Sequence, residues 1–157
     1  MMNLLAVENV KFSQGETKEA VILELGATLI SQNKITSDYL SEVIQREDQY
    51  PTGLDFGHIQ IAIPHATTSD SVFETAIAIA KLVKPLSFFS MGNSSEKLEV
   101  ELVCLLAVKN PQKHLETIQK IIFFFQNKES VQDIKKAETV EELYAIFSKL
   151  LQAGSYK

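Results

Sequence analysis

The histidine at position 65 has the most informative surroundings of the chain's three histidines. It follows the apolar segment IAIP at 61–64, which predicts a short strand ended by a proline. Sites of open α/β sheets gather outside strand ends, and a neutral imidazole there can act as a nucleophile or a base. The small, mostly hydroxylated residues at 66–69 leave room beside His65. A structural histidine with satisfied hydrogen bonds is the competing interpretation.

A second histidine lies at the predicted start of a helix. Asn110 is a typical N-cap and Pro111 a typical first helical residue, so His114 falls in the first turn. A helix N-terminus presents free N–H groups and positive partial charge, which favour an anion such as a phosphoryl group. An exposed first-turn histidine without a role is the alternative.

Arg46 is the only arginine in the chain, and the other fourteen basic residues are lysines. A planar guanidinium holds two oxygens of an oxyanion at once, whereas lysine serves a solvated surface equally well. The lone arginine therefore indicates either an anion site or a chance surface position.

Other catalytic chemistry finds little support. We interpret His58 as a solvated loop residue, and no spacing of histidine, cysteine or acidic residues predicts a metal site. The glycine motifs of nucleotide-binding loops and the G-x-S-x-G elbow are absent, so we expect no cofactor. Cys104, the single cysteine, lies in an apolar strand and is expected in the core.

Composition excludes several functional classes. A length of 157 residues predicts one domain spanning 1–157, and a net charge of −5 without a basic stripe argues against nucleic-acid binding. The longest apolar run, 102–108, is far shorter than the ~20 residues of a membrane span, so we expect no membrane insertion. The N-terminus lacks a basic segment ahead of an apolar one, so we expect no secretory signal and a cytoplasmic location.

Five helices must position these residues, as judged from apolar spacings of three and four and from capping residues. They are predicted at 17–32, 36–47, 110–127, 130–136, and after a capping box that opens at Thr139. The third helix is expected to bury Leu115, Ile118, Ile122 and Phe125.

Strands are predicted at 4–12, 59–63, 76–83 and 99–108, the first of them at a sheet edge. The segment 50–58 reads as turn and loop because it contains a proline and two glycines, and 90–97 reads as a polar loop. The nearly continuous apolar run at 103–108 is typical of a strand covered on both faces. The fold class is therefore α/β or α+β, with one sheet covered by helices.

Three segments form a recognisable pattern, namely RE at 46–47, YPTGL at 50–54 and IAIPHA at 61–66. This pattern resembles the active-site signature of the enzyme IIA domains of the sugar phosphotransferase system, fructose–mannitol class. In that class an Arg-Glu pair ends a helix, a threonine follows, and Ala-Ile-Pro-His forms the phosphorylation site. The segment NPQKHL at 110–115 extends the likeness, which covers about residues 5–150. The segments 50–54 and 110–112 are most similar to galactitol-type members.

The resemblance implies an α/β fold with a single mixed β-sheet flanked by helices on both faces. It also implies a phosphotransferase that works through a phosphohistidine and needs no metal or cofactor. His65 matches the phosphorylated histidine, Arg46 the arginine beside it, and His114 a second histidine of mannitol-type members. Thr52 is a candidate for a hydrogen bond to the phosphoryl group.

The implied partners are other phosphotransferase proteins. The histidine phosphocarrier protein (HPr) donates the phosphoryl group, and a IIB protein or domain receives it for a sugar that enters through a membrane IIC component. Because both carriers dock at one surface, we expect a shallow, partly apolar rim, with the candidates Phe56, Phe88, Phe89 and Met91. A regulatory, nitrogen-type IIA module and a hydrolase that uses the histidines at 65 and 114 as acid and base are the alternatives.

Overall fold

The computed structural model describes residues 5–67 and 70–152, which form five strands and five helices after a 3-10 turn at Val7–Asn9. The strands are β1 (Val10–Ser13), β2 (Gly53–Asp55), β3 (Gln60–Ala62), β4 (Ala76–Phe89) and β5 (Lys97–Ala107). The helices are α1 (Lys18–Ser31), α2 (Ser37–Gln49), α3 (Pro111–Phe125), α4 (Lys128–Lys136) and α5 (Val140–Gln152).

One mixed sheet of order β1-β4-β5-β3-β2 forms the centre of the fold. The pairs β1–β4 and β3–β5 are parallel, whereas β4–β5 and β2–β3 are antiparallel. Because β3 and β5 run the same way, their carboxyl ends reach the same edge of the sheet. His65 follows β3 and α3 follows β5, so the topology brings the two candidate histidines to one edge.

Helices cover both faces of the sheet, which confirms the expected fold. On one face, α1 and α2 bury a core that includes Leu25, Leu29 and Val43. On the other face, α3, α4 and α5 bury a second core, which holds Phe125 and the side chain of Cys104. No helix in the described part of the chain is long and apolar enough to cross a membrane.

Local signals set the helix boundaries. The first-turn N–H groups are capped by side chains at the starts of four helices, by Thr17, Thr36, Asn110 and Asn127. Thr139 and Glu142 form the predicted reciprocal capping box. Asn33, two residues after the end of α1, has a φ of 60°, a left-handed conformation that asparagine tolerates after a helix end.

The segment 50–58 contains a strand where turn and loop were predicted. Its residues Gly53 and Asp55 pair with Ala62 and Gln60 of β3. A Cβ at Gly53 would stand 2.6 Å from the carbonyl oxygen of Phe89, so the glycine here permits a close approach of two backbones. The glycine that reads as a turn signal is therefore a packing requirement of the sheet.

The strand predicted to end at position 83 continues to Phe89 as β4. A register shift lies between Lys81 and Leu86, and the strand pairs again with β5 beyond it. After the shift, alternate residues point inward, and Phe88 is fully buried. Its predicted place on an exposed rim is therefore wrong. The predicted edge strand at 4–12 corresponds to the 3-10 turn and β1, and residue 4 lies outside the described residues.

Candidate active site

The ring of His65 is oriented by the backbone two residues before it. Its Nδ1 lies 2.7 Å from the carbonyl oxygen of Ile63, which can only accept a hydrogen bond, so Nδ1 carries the proton. The lone pair of the neutral ring is therefore on Nε2. His65 is 7% exposed, and it lines a cavity rather than lying sealed in the core.

The chain on either side of His65 is pinned to two other elements. The Leu106 N–H donates to the carbonyl of Pro64 at 3.0 Å, which ties the segment to β5. The Ala66 N–H donates to the hydroxyl of Tyr39 at 3.1 Å, and that hydroxyl donates to the Leu106 carbonyl at 2.7 Å. Tyr39 belongs to α2 and is fully buried, so three elements together hold His65 in place.

His114 packs against His65, as their positions at the same sheet edge predict. The two ring centroids are 4.6 Å apart, with the ring planes inclined at 66°. His114 is half-buried, and its Nε2 is a buried atom without a hydrogen-bond partner among the described residues. An unpaired buried polar atom is costly, so a group that enters the site can gain a hydrogen bond there.

The guanidinium of Arg46, in the last turn of α2, faces the same site. Its Cζ lies over the ring of Tyr50 at 4.9 Å, and its Nε is buried without a partner within the described part of the chain. None of the ion pairs found in that part involves Arg46. A guanidinium that stacks on an aromatic ring and has no carboxylate is ready to bind an anion.

Burial keeps both histidines neutral. Desolvation lowers the pKa of His65 from 6.5 to about 4, against the Ile63 hydrogen bond, and His114 and Arg46 lower it further. Desolvation also lowers the pKa of His114, with a smaller contribution from the charge of Arg46. At neutral pH the site therefore holds two uncharged imidazoles beside one positive charge, and Nε2 of His65 is available as a nucleophile.

Arg46, Tyr50 and His65 line a cavity of about 630 Å³ that opens to solvent. Its lining includes Arg46, Thr52, His65, Met91 and Leu115. Leu115 is 59% exposed, which corrects its predicted place in the buried stripe of α3. The first turn of that helix presents its leucine to the cavity mouth, where a partner surface can cover it.

The single proton of the Thr52 hydroxyl is already engaged within the protein. It donates to the Glu47 carboxyl group at 2.9 Å and accepts from the Ile63 N–H at 3.1 Å. Thr52 is 2% exposed, although it lines the cavity. Thr67, two residues after His65, is exposed, and the residues at 68 and 69 lie outside the described residues.

The start of α3 offers an anion less than its sequence suggests. Pro111 has no N–H, the Gln112 N–H is taken by the Asn110 side chain at 2.9 Å, and the His114 N–H donates to the Asn110 carbonyl at 3.0 Å. The favourable partial charge of the helix end remains, but positions 111, 112 and 114 have no free N–H group for an anion.

The other candidates have structural surroundings. His58 was interpreted as solvated, but its Nε2 lies 3.0 Å from the carbonyl of Phe125, at the end of α3. Phe56 packs on Phe125 and Phe89 lies beneath Lys18, so Met91 is the rim candidate that lines the cavity. No group of three or more histidine, cysteine or acidic residues suited to a metal ion occurs in the described ranges.

Residues 3–150 match the family model described as "Phosphoenolpyruvate-dependent sugar phosphotransferase system, EIIA 2". The chain belongs to this family. It is therefore an EIIA phosphotransferase, as the motif at 61–66 and the arginine at 46 predicted.

Two curated relatives and one solved structure are similar to this EIIA chain. The mannitol-specific phosphotransferase enzyme IIA component of Bacillus subtilis (strain 168) is 31% identical over 152 residues, covering 95% of this chain and 99% of the relative. The galactitol-specific EIIA component of Escherichia coli O6:H1 is 24% identical over 136 residues, covering 85% and 86%. The complex of enzyme IIAMtl and phosphorylated IIBMtl from Escherichia coli matches with a TM-score of 0.75 at 21% identity, covering 92% of this chain and 96% of that chain.

Tyr39 is the site residue of this EIIA chain that sequence reasoning missed. Its spacing from Val43 and Leu40 places it on the buried stripe of the second helix, so its burial was readable. Its hydrogen bonds were not, because they join residues 27 and 67 positions apart in the chain. A tyrosine beside apolar residues on a buried stripe is the available signal, since a buried hydroxyl needs partners.

We expect Tyr39→Phe to destabilise the EIIA chain by about 1–3 kcal/mol, because it leaves the Ala66 N–H and the Leu106 carbonyl buried without a partner. Urea unfolding measures the change. Tyr50→Phe is the matched control, because Tyr50 is 60% exposed, and it should leave the free energy of unfolding nearly unchanged. Equal stability of the two variants would contradict this account of Tyr39.

The lowered pKa of His65 predicts a loss of stability in mild acid. Between pH 6.5 and 4 the unfolded chain binds a proton on this histidine and the folded chain does not, so unfolding becomes easier as the pH falls. The stabilisation present above pH 6.5 and lost by pH 4 amounts to about 3 kcal/mol.

The measurement is urea unfolding at several pH values for wild type and His65→Gln. Burial raises the pKa of Glu47 from 4.5 to about 7, so Glu47 makes the stability of both proteins depend on pH in the opposite direction. Its contribution to the free energy of unfolding is present below pH 4.5 and is lost as the pH rises through 7. The prediction therefore concerns the difference in the free energy of unfolding between wild type and His65→Gln. A difference that stays constant between pH 6.5 and 4 would refute it.

Proposed function

We propose that this EIIA chain accepts a phosphoryl group on Nε2 of His65 from the histidine phosphocarrier protein and passes it to a IIB protein or domain. The observation that carries the proposal is the arrangement of His65. Its Nδ1 is held by the Ile63 carbonyl, its pKa is lowered to about 4, and it shares a cavity with an arginine that has no carboxylate partner in the described residues.

The transfer needs an in-line nucleophile and positive charge around the phosphoryl oxygens. The Nε2 lone pair of His65 attacks phosphorus in the donor's phosphohistidine. As the new N–P bond forms, the donor's N–P bond breaks and its electron pair returns to the donor imidazole. The proton on Nδ1 of His65 stays in place throughout, and the Ile63 carbonyl stabilises the more positive ring that results.

Arg46 and His114 are assigned to the phosphoryl oxygens in this mechanism. The guanidinium of Arg46 offers two donors in a plane, and its Nε lacks a partner among the described residues. His114 lies against the reacting ring, and its equally unpaired Nε2 can donate to an oxygen when that nitrogen carries the proton. Thr52 would need to release its hydroxyl proton from Glu47 before it could contribute a hydrogen bond.

A sugar-alcohol transport system is the proposed setting, with the phosphoryl group moving onward from IIB to a substrate that enters through IIC. The names of the mannitol- and galactitol-specific relatives support this setting. Identity is higher to the mannitol protein, 31% against 24%, so mannitol-type partners are favoured over the galactitol-type assignment suggested by residues 50–54.

The proposal predicts one acid-labile phosphoryl group per chain after incubation with HPr, enzyme I and labelled phosphoenolpyruvate. His65→Ala should take up no label, because it removes the nucleophile. Arg46→Ala should slow uptake roughly 10- to 150-fold, the equivalent of one charge-assisted hydrogen bond of about 1.5–3 kcal/mol.

Lys113→Ala is the control for the loss of positive charge near the site, since Lys113 is exposed and pairs with Glu116 at 3.6 Å. It should change the rate by less than about twofold. Label retained by His65→Ala would exclude His65 as the acceptor. Phosphate release without any carrier protein would instead favour the hydrolase alternative.

The phosphorylated chain should transfer its label to the IIB of a mannitol system, and more slowly to the IIB of a galactitol system. Discharge of the label over time, followed on a gel, measures both rates. Incubation of the labelled chain without any IIB is the negative control. Label that stays on the chain with every IIB would contradict the transport role and favour a regulatory IIA module.

A further inference from the structure

Four buried residues form a continuous line of hydrogen bonds that ends at the ring of His65. The N–H and the hydroxyl of Thr52 both donate to the carboxyl group of Glu47, each at 2.9 Å. The Ile63 N–H donates to Oγ1 of Thr52 at 3.1 Å, and the Ile63 carbonyl accepts from Nδ1 of His65 at 2.7 Å. Glu47, Thr52 and Ile63 are at most 3% exposed, so water does not compete for these bonds.

We propose that Glu47 is a positioning residue for His65. By holding both donors of Thr52, it fixes the oxygen that accepts the Ile63 N–H. The backbone of Ile63 is thereby held in the orientation that directs its carbonyl at Nδ1 and keeps the proton on that nitrogen. The consequence for the rate of phosphoryl transfer rests on the function proposed above, whereas the effect on the His65 tautomer does not.

The burial of Glu47 is expensive, which indicates that its carboxyl group has a specific task. Desolvation raises its pKa to about 7, although both Thr52 hydrogen bonds oppose the rise. The positive charge of Lys18 lowers the pKa of Glu47 slightly, but the Lys18 ammonium group is paired with the exposed Asp48 at 3.6 Å. An apolar side chain of similar size could fill this position at lower cost, but it could not hold the donors of Thr52.

Thr52 alone does not fix Ile63. When its hydroxyl proton is held by Glu47, both the torsion of the side chain and the direction of the remaining lone pairs are set. Without a hydrogen-bonding side chain at position 47 the Thr52 side chain can rotate, and the Ile63 N–H is left with the more distant Thr52 carbonyl, at 3.4 Å. A shift of Ile63 toward that carbonyl would lengthen the bond from Nδ1 and admit the other tautomer.

The experiment is a long-range ¹H–¹⁵N correlation spectrum of the unphosphorylated protein at pH 7.5, with ¹⁵N-labelled histidine. The nitrogen shifts of His65 report which ring atom carries the proton. Wild type should show the Nδ1–H form. Glu47→Ala should lower the ratio of Nδ1–H to Nε2–H by roughly tenfold, the equivalent of one neutral hydrogen bond.

Two further variants separate positioning from charge and from general loss of stability. Glu47→Gln should retain the wild-type ratio, because its amide can accept from the Thr52 N–H and, by donating to Oγ1, keep that oxygen where it accepts the Ile63 N–H. Asp48→Ala is the matched truncation one residue away, where the side chain is 63% exposed, and it too should retain the ratio. With a phosphoryl donor, Glu47→Ala should then slow labelling of His65 while Glu47→Gln restores it.

A folded Glu47→Ala protein with the wild-type tautomer ratio would overturn the proposal. So would a Glu47→Gln protein in which the ratio of Nδ1–H to Nε2–H falls as far as in Glu47→Ala. Should Glu47→Ala fail to fold, Thr52→Val provides the same test, because it removes the hydroxyl at nearly constant volume. An unchanged ratio in Thr52→Val would also overturn the proposal. The spectra need no phosphoryl donor, so they remain decisive even if His65 takes up no label.

Discussion

The site is organised around a single hydrogen bond, from Nδ1 of His65 to the carbonyl of Ile63. This bond selects the tautomer and so leaves the lone pair on Nε2 of a ring that lines the open cavity. It spans only two residues because Pro64 fixes the turn between them, and the carbonyl of Pro64 is held in turn by β5. In the proposed function, both the uptake and the release of the phosphoryl group would depend on this alignment.

The same site opposes the stability of the fold. Burial disfavours the charged form of His65, Arg46 Nε and His114 Nε2 lie buried without partners in the described part of the chain, and Glu47 keeps a carboxyl group almost out of water. Each arrangement costs free energy that an apolar interior would not. The two hydrophobic cores on either face of the sheet offset that cost. In the proposed function, the phosphoryl group would give the unpaired nitrogens of Arg46 and His114 a partner.

The sheet topology brings His65, His114 and Arg46 together although they lie far apart in the sequence. Parallel β3 and β5 end at one edge of the sheet, so His65 and the start of α3 arrive together and their rings touch at 4.6 Å. The end of α2 adds Arg46, and Tyr39 near the start of α2 ties that helix to both strand ends. Leu115 and Met91 are exposed and border the cavity, where the proposed function would have carrier proteins cover them briefly.

The chemistry of the site and most helix boundaries can be read in the amino-acid order, because the signals are local. A proline ahead of His65, an asparagine cap ahead of His114 and a single arginine at a helix end each act within a few residues. The burial of Phe88, the exposure of Leu115 and the strand at Gly53 depend instead on where whole elements pack. The hydrogen-bond partners of Tyr39 and Glu47 also depend on the tertiary structure. A buried hydroxyl or carboxyl group needs a partner, and the packing of the surrounding elements decides which polar group lies close enough to bond.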